Sequence, residues 1–169
     1  ATDILRYNVE TEEIDYIKNW CTVKQLQDAL QFEHNAALSE CCIVENMLFA
    51  ISLNGKFVLR LNMDSLENSV VVLPSNTRYS GICYCNKNFW LAAFDVGPIL
   101  KWNGEQHYEA FGDYPSDFLC SSTVFSCSKS SGTNVIFFPY IDTNMALSID
   151  TESGQMKRFV KKPTDIDWK

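Results

Sequence analysis

The chain has 169 residues, of which 46% are hydrophobic and 13% aromatic, and its formal net charge is −7. This length suffices for a sizeable core, because a domain of about 150 residues buries roughly 70% of the surface of its unfolded chain. The acidic balance argues against nucleic acid as a partner, and no apolar run approaches the roughly 20 residues of a membrane-spanning helix, so neither nucleic acid nor a membrane is expected.

The first part of the chain predicts a strand pair followed by a helix. The segment ILRYNVETEEIDYI at 4–17 has two alternating runs around a polar turn, and we assign it to a partial unit at residues 1–20. Residues 22–37 then predict a helical insert, because Thr22 and Gln25 form a capping-box pattern and apolar residues follow at helical spacing. The helix is expected either to fill an apolar gap on the sheets or to bind a partner.

Three longer segments of the remaining chain repeat one another. Each runs from an Asn through a nearly continuous apolar strand, a short loop and an alternating strand to a closing Asn or Asp. The segments are NMLFAISLNGKFVLRLN from Asn46 to Asn62, NFWLAAFDVGPILKWN from Asn88 to Asn103, and NVIFFPYIDTNMALSID from Asn134 to Asp150. One more strand precedes and one follows each segment, so the predicted units are 39–74, 79–112 and 122–160. Four antiparallel strands, called a to d, that recur every 40–50 residues or so are typical of a β-propeller.

With these units the sequence resembles β-propellers of the Kelch-like or quinoprotein-like kind. The segments VLRLNMDSLENSVVV and ALSIDTESGQMKRF carry the resemblance, whereas the Gly-Gly pair of Kelch repeats and the Trp-Asp ending of WD40 repeats are absent. The resemblance implies an all-β fold of four-stranded blades and assigns no functional residue. Three and a half units do not close a ring of 4–8 blades, so we expect a single domain or a part of a larger propeller. A β-sandwich or barrel is the alternative.

The seven cysteines of the chain are evidence on its cellular location and on metal binding. They are Cys21, Cys41, Cys42, Cys83, Cys85, Cys120 and Cys127. Their odd number and irregular spacing do not form a disulfide framework, which favours a reducing, cytoplasmic location. Cys83 and Cys85 fall on one face of a predicted strand, where they act as small hydrophobes or, as the weaker alternative, as metal ligands. We predict no cofactor and no metal.

The loops b–c and d–a of a propeller lie on one face, and that face holds the candidate site. The predicted ligand-binding residues are Asn54, Arg78, Tyr79, Asp95, Tyr114, Asp117 and Asp142. Carboxylates accept hydrogen bonds or hold cations, and tyrosine offers an apolar ring with a polar tip. The ordinary structural explanation is that Asn and Asp form turns through bonds to nearby amides.

Three further local predictions concern the last unit. The serine-rich segment at 126–133 is predicted to be a loop between strands a and b. Pro139 argues against its place in strand b, because proline donates no ladder hydrogen bond, but it falls near the predicted strand end, where a bulge is tolerable. A basic cluster, which consists of Lys157, Arg158, Lys161 and Lys162, is predicted to be a solvated strand end and tail.

These patterns favour a non-catalytic binding or scaffold module that recognises a protein or a glycan through the loops of one face. No catalytic residue is predicted, and a non-enzyme is favoured over an enzyme. The alternative is a fragment of a carbohydrate-active propeller enzyme, with Asp95 and Asp142 as paired carboxylates. A third alternative is a regulatory module that acts through the predicted helix. Exposed blade faces also predict self-association.

Overall fold

The computed structural model describes residues 4–18, 38–52, 55–74 and 76–159, and the predicted helical insert lies outside them. Every regular element in these ranges is a β-strand. The strands are β1 Ile4–Tyr7, β2 Ile14–Ile17, β3 Leu38–Val44, β4 Met47–Ser52, β5 Phe57–Asn62, β6 Asn68–Val72, β7 Tyr79–Cys85, β8 Asn88–Ala93, β9 Ile99–Trp102, β10 Tyr108–Phe111, β11 Phe125–Ser131, β12 Asn134–Pro139, β13 Leu147–Asp150 and β14 Met156–Arg158. The described residues contain no helix that is long and apolar enough to cross a membrane.

The strands form antiparallel sheets in which sequence neighbours are also spatial neighbours. The first blade is β3-β4-β5-β6, the second blade is β7-β8-β9-β10, and the third blade is β11-β12-β13-β14. The pair β1-β2 forms a separate two-stranded sheet, here called the half-blade. The structure confirms the predicted all-β fold of four-stranded repeats, and the chain is a partial β-propeller.

The chain divides into two compact units, Ala1–Arg78 and Tyr79–Lys169. In the first unit, the half-blade packs on the first blade through Ile17, which is buried among residues such as Ala50, Leu59 and Leu61. Arg6 also donates to the carbonyl of Met63 at 2.9 Å. Burial of aliphatic side chains between two sheets is the dominant favourable term here.

In the second unit, two blades pack face to face. Trp90 and Ile99 of the second blade share a buried core with Phe137, Leu147 and Ile149 of the third blade. The side chains of β12 alternate, because Val135 and Phe137 point into this core while the residues between them are only partly buried. One face of each of the two sheets is therefore buried in this core.

Four turns share one design, and they explain why the closing Asn or Asp recurs. The Oδ1 atoms of Asn8, Asn62, Asn103 and Asp150 each accept a hydrogen bond from the amide two residues further on, at 2.9–3.1 Å. Each residue comes at the end of the third strand of a blade, or of β1 in the half-blade. Such Asx turns satisfy amides that the sheet leaves free. The repeated residues thus carry turn chemistry at these positions.

Two local predictions need correction. The segment at 126–133 is not a loop, since Ser126 to Ser131 belong to β11 and Cys127 to Ser131 pair with β12. Backbone pairing with a long apolar neighbour overrides the weak strand preference of serine. The opening Asn also does not hold the same register in every blade. In the third blade the opening Asn134 pairs with the closing Asp150, whereas in the first blade the closing Asn62 pairs with Met47, one residue after the opening Asn46.

Pro139 lies at a position where the lack of a backbone N–H donor costs little. It is the last residue of β12 and pairs with Phe125, directly beside a register shift in β11. The ladder is interrupted there, so little hydrogen bonding is lost. The prediction that proline would lie near a strand end with a tolerable irregularity is confirmed.

Candidate functional site

Three connections of the second unit are joined by hydrogen bonds at one end of its blades. We call residues 94–98, 112–124 and 140–144 together the loop face. The amide of Val124 donates to the carbonyl of Phe94 at 2.8 Å, and the amide of Tyr140 donates to the carbonyl of Val124 at 3.1 Å. The hydroxyl of Thr143 also donates to the carbonyl of Val124 at 2.7 Å. Both b–c loops are therefore attached to the segment that leads into β11.

Asp95 and Asp142 both contact Thr123. Asp95 forms an isolated antiparallel bridge with Thr123. The carboxylate of Asp142 accepts hydrogen bonds from the hydroxyl of Ser122 and, at 3.3 Å, from that of Thr123. The hydroxyl of Ser122 makes the largest contribution to lowering the pKa of the Asp142 carboxyl below its ordinary value. This carboxylate is exposed and stays ionised, which suits a cation or donor and does not suit a general acid.

Asn144 fixes the connection between β10 and β11. Its side-chain oxygen accepts from the amide of Leu119 at 2.9 Å, and its side-chain nitrogen donates to the carbonyl of Asp117 at 2.9 Å. Its own amide donates to the carbonyl of Leu119 at 3.1 Å. Sequence reasoning missed this residue, because its partners lie about 25 positions away in the chain.

The two predicted tyrosines belong to the interior. Tyr79 is 1% exposed. Tyr114 donates its hydroxyl to the carbonyl of Gly97 at 2.7 Å and stacks on Phe118 with ring centroids 4.6 Å apart. Burial raises the pKa of the Tyr114 hydroxyl well above its usual range. Tyr114 therefore supports the loop face from beneath, and neither ring is presented to a ligand.

The remaining predicted site residues are Asp117, Arg78 and Asn54. Asp117 is exposed on the loop face, where its carboxylate lies 4.0 Å from a guanidinium nitrogen of Arg158. Arg78 is exposed and belongs to the end of the first unit. Asn54 lies outside the described residues. The structure thus brings Asp95, Asp117 and Asp142 to the loop face.

Exposed apolar side chains on the loop face were not predicted from the sequence. Ile141 is 86% exposed, Leu119 67% and Val96 62%, and Tyr140 is also exposed. The ring of Tyr140 meets that of Phe94 edge-on, with centroids 5.6 Å apart. The signal was available in YIDTN, because two large apolar residues open a loop where polar residues are usual.

The described residues contain no group of three or more His, Cys, Asp or Glu side chains that could hold a metal ion. Cys83 and Cys85 both point into the core of the second unit. These two and the other four described cysteines are free thiols. The side chains that the loop face presents include carboxylates, hydroxyls and apolar groups.

Comparison with known proteins gives the fold and no family. No protein-family model matches the sequence, and no curated protein matches it. A streptogramin B lyase structure is similar with a TM-score of 0.66 and 12% identity, over 98% of this chain and 49% of that chain. A catalytically inactive virginiamycin B lyase from Staphylococcus aureus with quinupristin has a TM-score of 0.66 and 16% identity, over 97% of this chain and 50% of that chain.

A third similar structure is that of YCF48 bound to D1 peptide. Its TM-score is 0.53 at 10% identity, over 75% of this chain and 41% of that chain. The chain spans about half the length of the lyases that it matches. At these identities the likeness confirms the propeller-type fold alone.

Proposed function

We propose that the chain is a non-catalytic binding module that recognises a protein partner through the loop face. The observation that carries the proposal is Ile141, which is 86% exposed on a turn held in place by hydrogen bonds. Leu119 and Val96 extend the exposed apolar surface on the adjoining segments. Exposed apolar side chains that adjoin one another in this way mark interaction sites, whereas single scattered ones are ordinary on a protein surface.

The charge of the loop face defines the chemistry of the partner. Its three segments contain Asp95, Asp113, Asp117 and Asp142 and have no Lys, Arg or His. An apolar surface among carboxylates favours a peptide segment that combines aliphatic or aromatic residues with lysine or arginine. The apolar side chains of such a partner would pack on the exposed apolar surface, and its lysine or arginine would pair with the ionised Asp142.

The similar structures support both a binding and a catalytic use of this fold. YCF48 is bound to a peptide, whereas two of the other structures are lyases. The lowered pKa of Asp142 suits a carboxylate that accepts hydrogen bonds or binds a cation; in glycoside hydrolysis it would fit the base or nucleophile, and a second carboxyl would have to hold the proton.

The experiment begins with selection of displayed peptides on the whole chain. Calorimetry then compares the selected peptide on Ile141→Ser and on Ile43→Ser, a matched change at an isoleucine of the first unit that is 62% exposed. Burying one isoleucine contributes about 1.5–3 kcal/mol, so I141S should weaken binding roughly tenfold to a hundredfold while I43S leaves it unchanged. Equal effects of the two variants would contradict the proposal.

The enzyme alternative rests on the placement of Asp95 and Asp142 around Thr123. D95N and D142N should leave peptide affinity only modestly reduced under our proposal, and a glycan array on the same protein should remain unoccupied. Turnover of an oligosaccharide that both variants abolish would establish the alternative instead. We also propose a reducing, cytoplasmic location, because six described cysteines are free thiols.

A further inference from the structure

The half-blade has one strand edge that is open. In each complete blade the third strand lies between two others, as β5 lies between β4 and β6. β1 corresponds to this third strand, because the Asx turn of Asn8 comes directly after it, as the Asx turn of Asn62 comes at the end of β5. Among the residues that the structure describes, however, β1 pairs with β2 alone. The open edge of β1 is therefore the place that strand b occupies in the complete blades.

The backbone groups at this edge belong to Leu5 and Tyr7. The amide of Asn8 donates to the carbonyl of Glu13, on the β2 side, at 2.9 Å. Hydrogen-bonded pairs alternate with non-bonded pairs along an antiparallel ladder, so every second residue before Asn8 also bonds to β2. The N–H and C=O groups of Leu5 and Tyr7 consequently point away from β2. Two donors and two acceptors face the edge, where an added strand would meet them.

Apolar side chains around the edge are uncovered. Leu5 is 55% exposed and Tyr7 is 52% exposed. The equivalent residues of β5, which are Leu59 and Leu61, are buried. On the first blade, Ile43 of β3 is also exposed, although it lies on the face that packs against the half-blade. A strand added beside β1 would cover part of this apolar surface.

One cross-strand row indicates which residue belongs opposite Arg6. In the second blade, strands b, c and d place Trp90, Lys101 and Glu109 in one row. The Lys101 ammonium lies 2.9 Å from the Glu109 carboxylate and 5.7 Å from the centre of the Trp90 ring. In the half-blade, Arg6 and Asp15 form an ion pair of 2.8 Å at the same two positions of the row. As described, the half-blade thus has the cation and the acid of this row without the aromatic ring.

The other two blades agree with this relation between strands b and c. In the first blade, Arg60 has the position of the cation, and its guanidinium lies 5.8 Å from the centre of the Phe49 ring opposite it. In the third blade, Ser148 has this position, and the residue opposite it is the aliphatic Ile136. An aromatic residue of strand b thus accompanies each cation of strand c, as cation–π attraction favours. The cation of Arg6 therefore predicts an aromatic residue in a strand that pairs with β1.

The charge at one end of the edge indicates a second property of such a strand. The turn between β1 and β2 contains Glu10, Glu12 and Glu13, which are exposed, and it has no Lys, Arg or His. A strand antiparallel to β1 begins at this turn, because β1 ends there. A lysine or arginine near the N-terminal end of the added strand would meet these carboxylates.

We propose that the open edge of β1 binds an extended segment of a separate protein, with an aromatic residue opposite Arg6 and a Lys or Arg near its N-terminal end. The segment adds to the half-blade as an antiparallel strand. In such strand addition the backbone hydrogen bonds contribute affinity, and the alternate side chains contribute specificity. The site lies in the first unit and does not depend on the proposed role of the loop face.

The probe is a peptide with the sequence KNFWLAA, which is that of residues 87–93 and contains β8. With its tryptophan opposite Arg6, its lysine lies at the acidic turn. The peptide is titrated into the whole chain, and amide hydrogen exchange is followed by NMR. Saturable binding should protect the amides of Leu5 and Tyr7, whereas the amide of Arg6 already points toward β2. Replacing the tryptophan of the peptide with serine should weaken binding about tenfold or more, because the ring contacts are lost.

Leu5→Pro and Tyr16→Pro are a matched pair of variants. Leu5 and Tyr16 lie opposite each other at a non-bonded position of the ladder, so each proline removes an N–H that points away from the other strand. Only Leu5 lies at the edge where the peptide adds. L5P should therefore weaken peptide binding at least tenfold, and Y16P should leave it unchanged. Arg6→Gln should weaken binding severalfold, and Arg6→Lys should restore most of the loss.

Four results would overturn the proposal. They are equal affinities of the two peptides, equal losses in L5P and Y16P, protection of amides outside the edge alone, and a loss of affinity in Ile141→Ser, which would assign the peptide to the loop face. Protection of Leu5 and Tyr7 before peptide is added would also overturn it, because the edge would then be occupied by the chain itself in a monomer or by a second copy in a dimer. If L5P fails to fold, the two peptides on the unchanged chain still decide.

Discussion

Replacing Phe137 with alanine should destabilise the second unit strongly. The residue is fully buried, its ring centroid lies 5.4 Å from that of Phe125, and it fills the core between the second and third blades. Removal of a buried phenylalanine ring costs about 3–5 kcal/mol, which is a large part of the 5–15 kcal/mol that typically separates the folded and unfolded states of a domain. For a chain of this size, a loss of about 3–5 kcal/mol lowers the melting temperature by about 6–20 °C.

The next residue in the chain provides the control. Phe138 belongs to the same strand but points to the other face and is only partly buried. Phe138→Ala should therefore cost less than half as much as Phe137→Ala. Urea unfolding followed by tryptophan fluorescence measures both free energies of unfolding. Equal losses, or a larger loss for F138A, would refute the register of β12 and the position of the core.

Two further predictions concern the loops. The ordinary pKa of Asp142 is 3.8 and the folded value is lower, so its carboxylate contributes stability above about pH 4 that is lost as the pH falls through the folded value. The urea midpoints of the wild type and D142N should therefore differ at pH 7 and coincide at acid pH. A difference in midpoint that does not depend on pH would contradict this prediction. Gly154 has φ of +71°, and an added Cβ would lie 3.0 Å from the ring of Phe111, whereas Gly132 has φ of +59° and open space around an added Cβ. Gly154→Ala should therefore lower the free energy of unfolding by clearly more than the roughly 1 kcal/mol expected for Gly132→Ala. Thermal melts of both variants measure this, and equal losses would exclude the contact with Phe111.

The repeat could be predicted from the sequence because its signals are local. Closing residues such as Asn62 and Asp150 bond amides only two or three positions away, so their role depends on a few neighbouring letters. The alternation of strands such as β5 is likewise visible in the chain itself. The four-stranded repeat and the order of its strands followed from these two signals.

The candidate site could be predicted only in part, because its contacts are distant in sequence. Asp142 was identified, but its donors Ser122 and Thr123 lie about 20 positions away. Tyr114 was expected to meet a ligand, and its burial against the other loops could not be read from a turn-like segment. The strand nature of Ser126 to Ser131 depends on pairing with β12, which outweighs the residues' own preference.

The strictly sequential pairing of the strands has a consequence for how the chain acquires its structure. Every ladder in the described blades joins strands that are adjacent in the sequence, so each sheet can be completed without waiting for a remote segment to arrive. Little loop-closure entropy is lost at each step, and assembly can begin in any blade and spread to its neighbour. A nascent chain leaving the ribosome could thus finish one blade before the next has been synthesised.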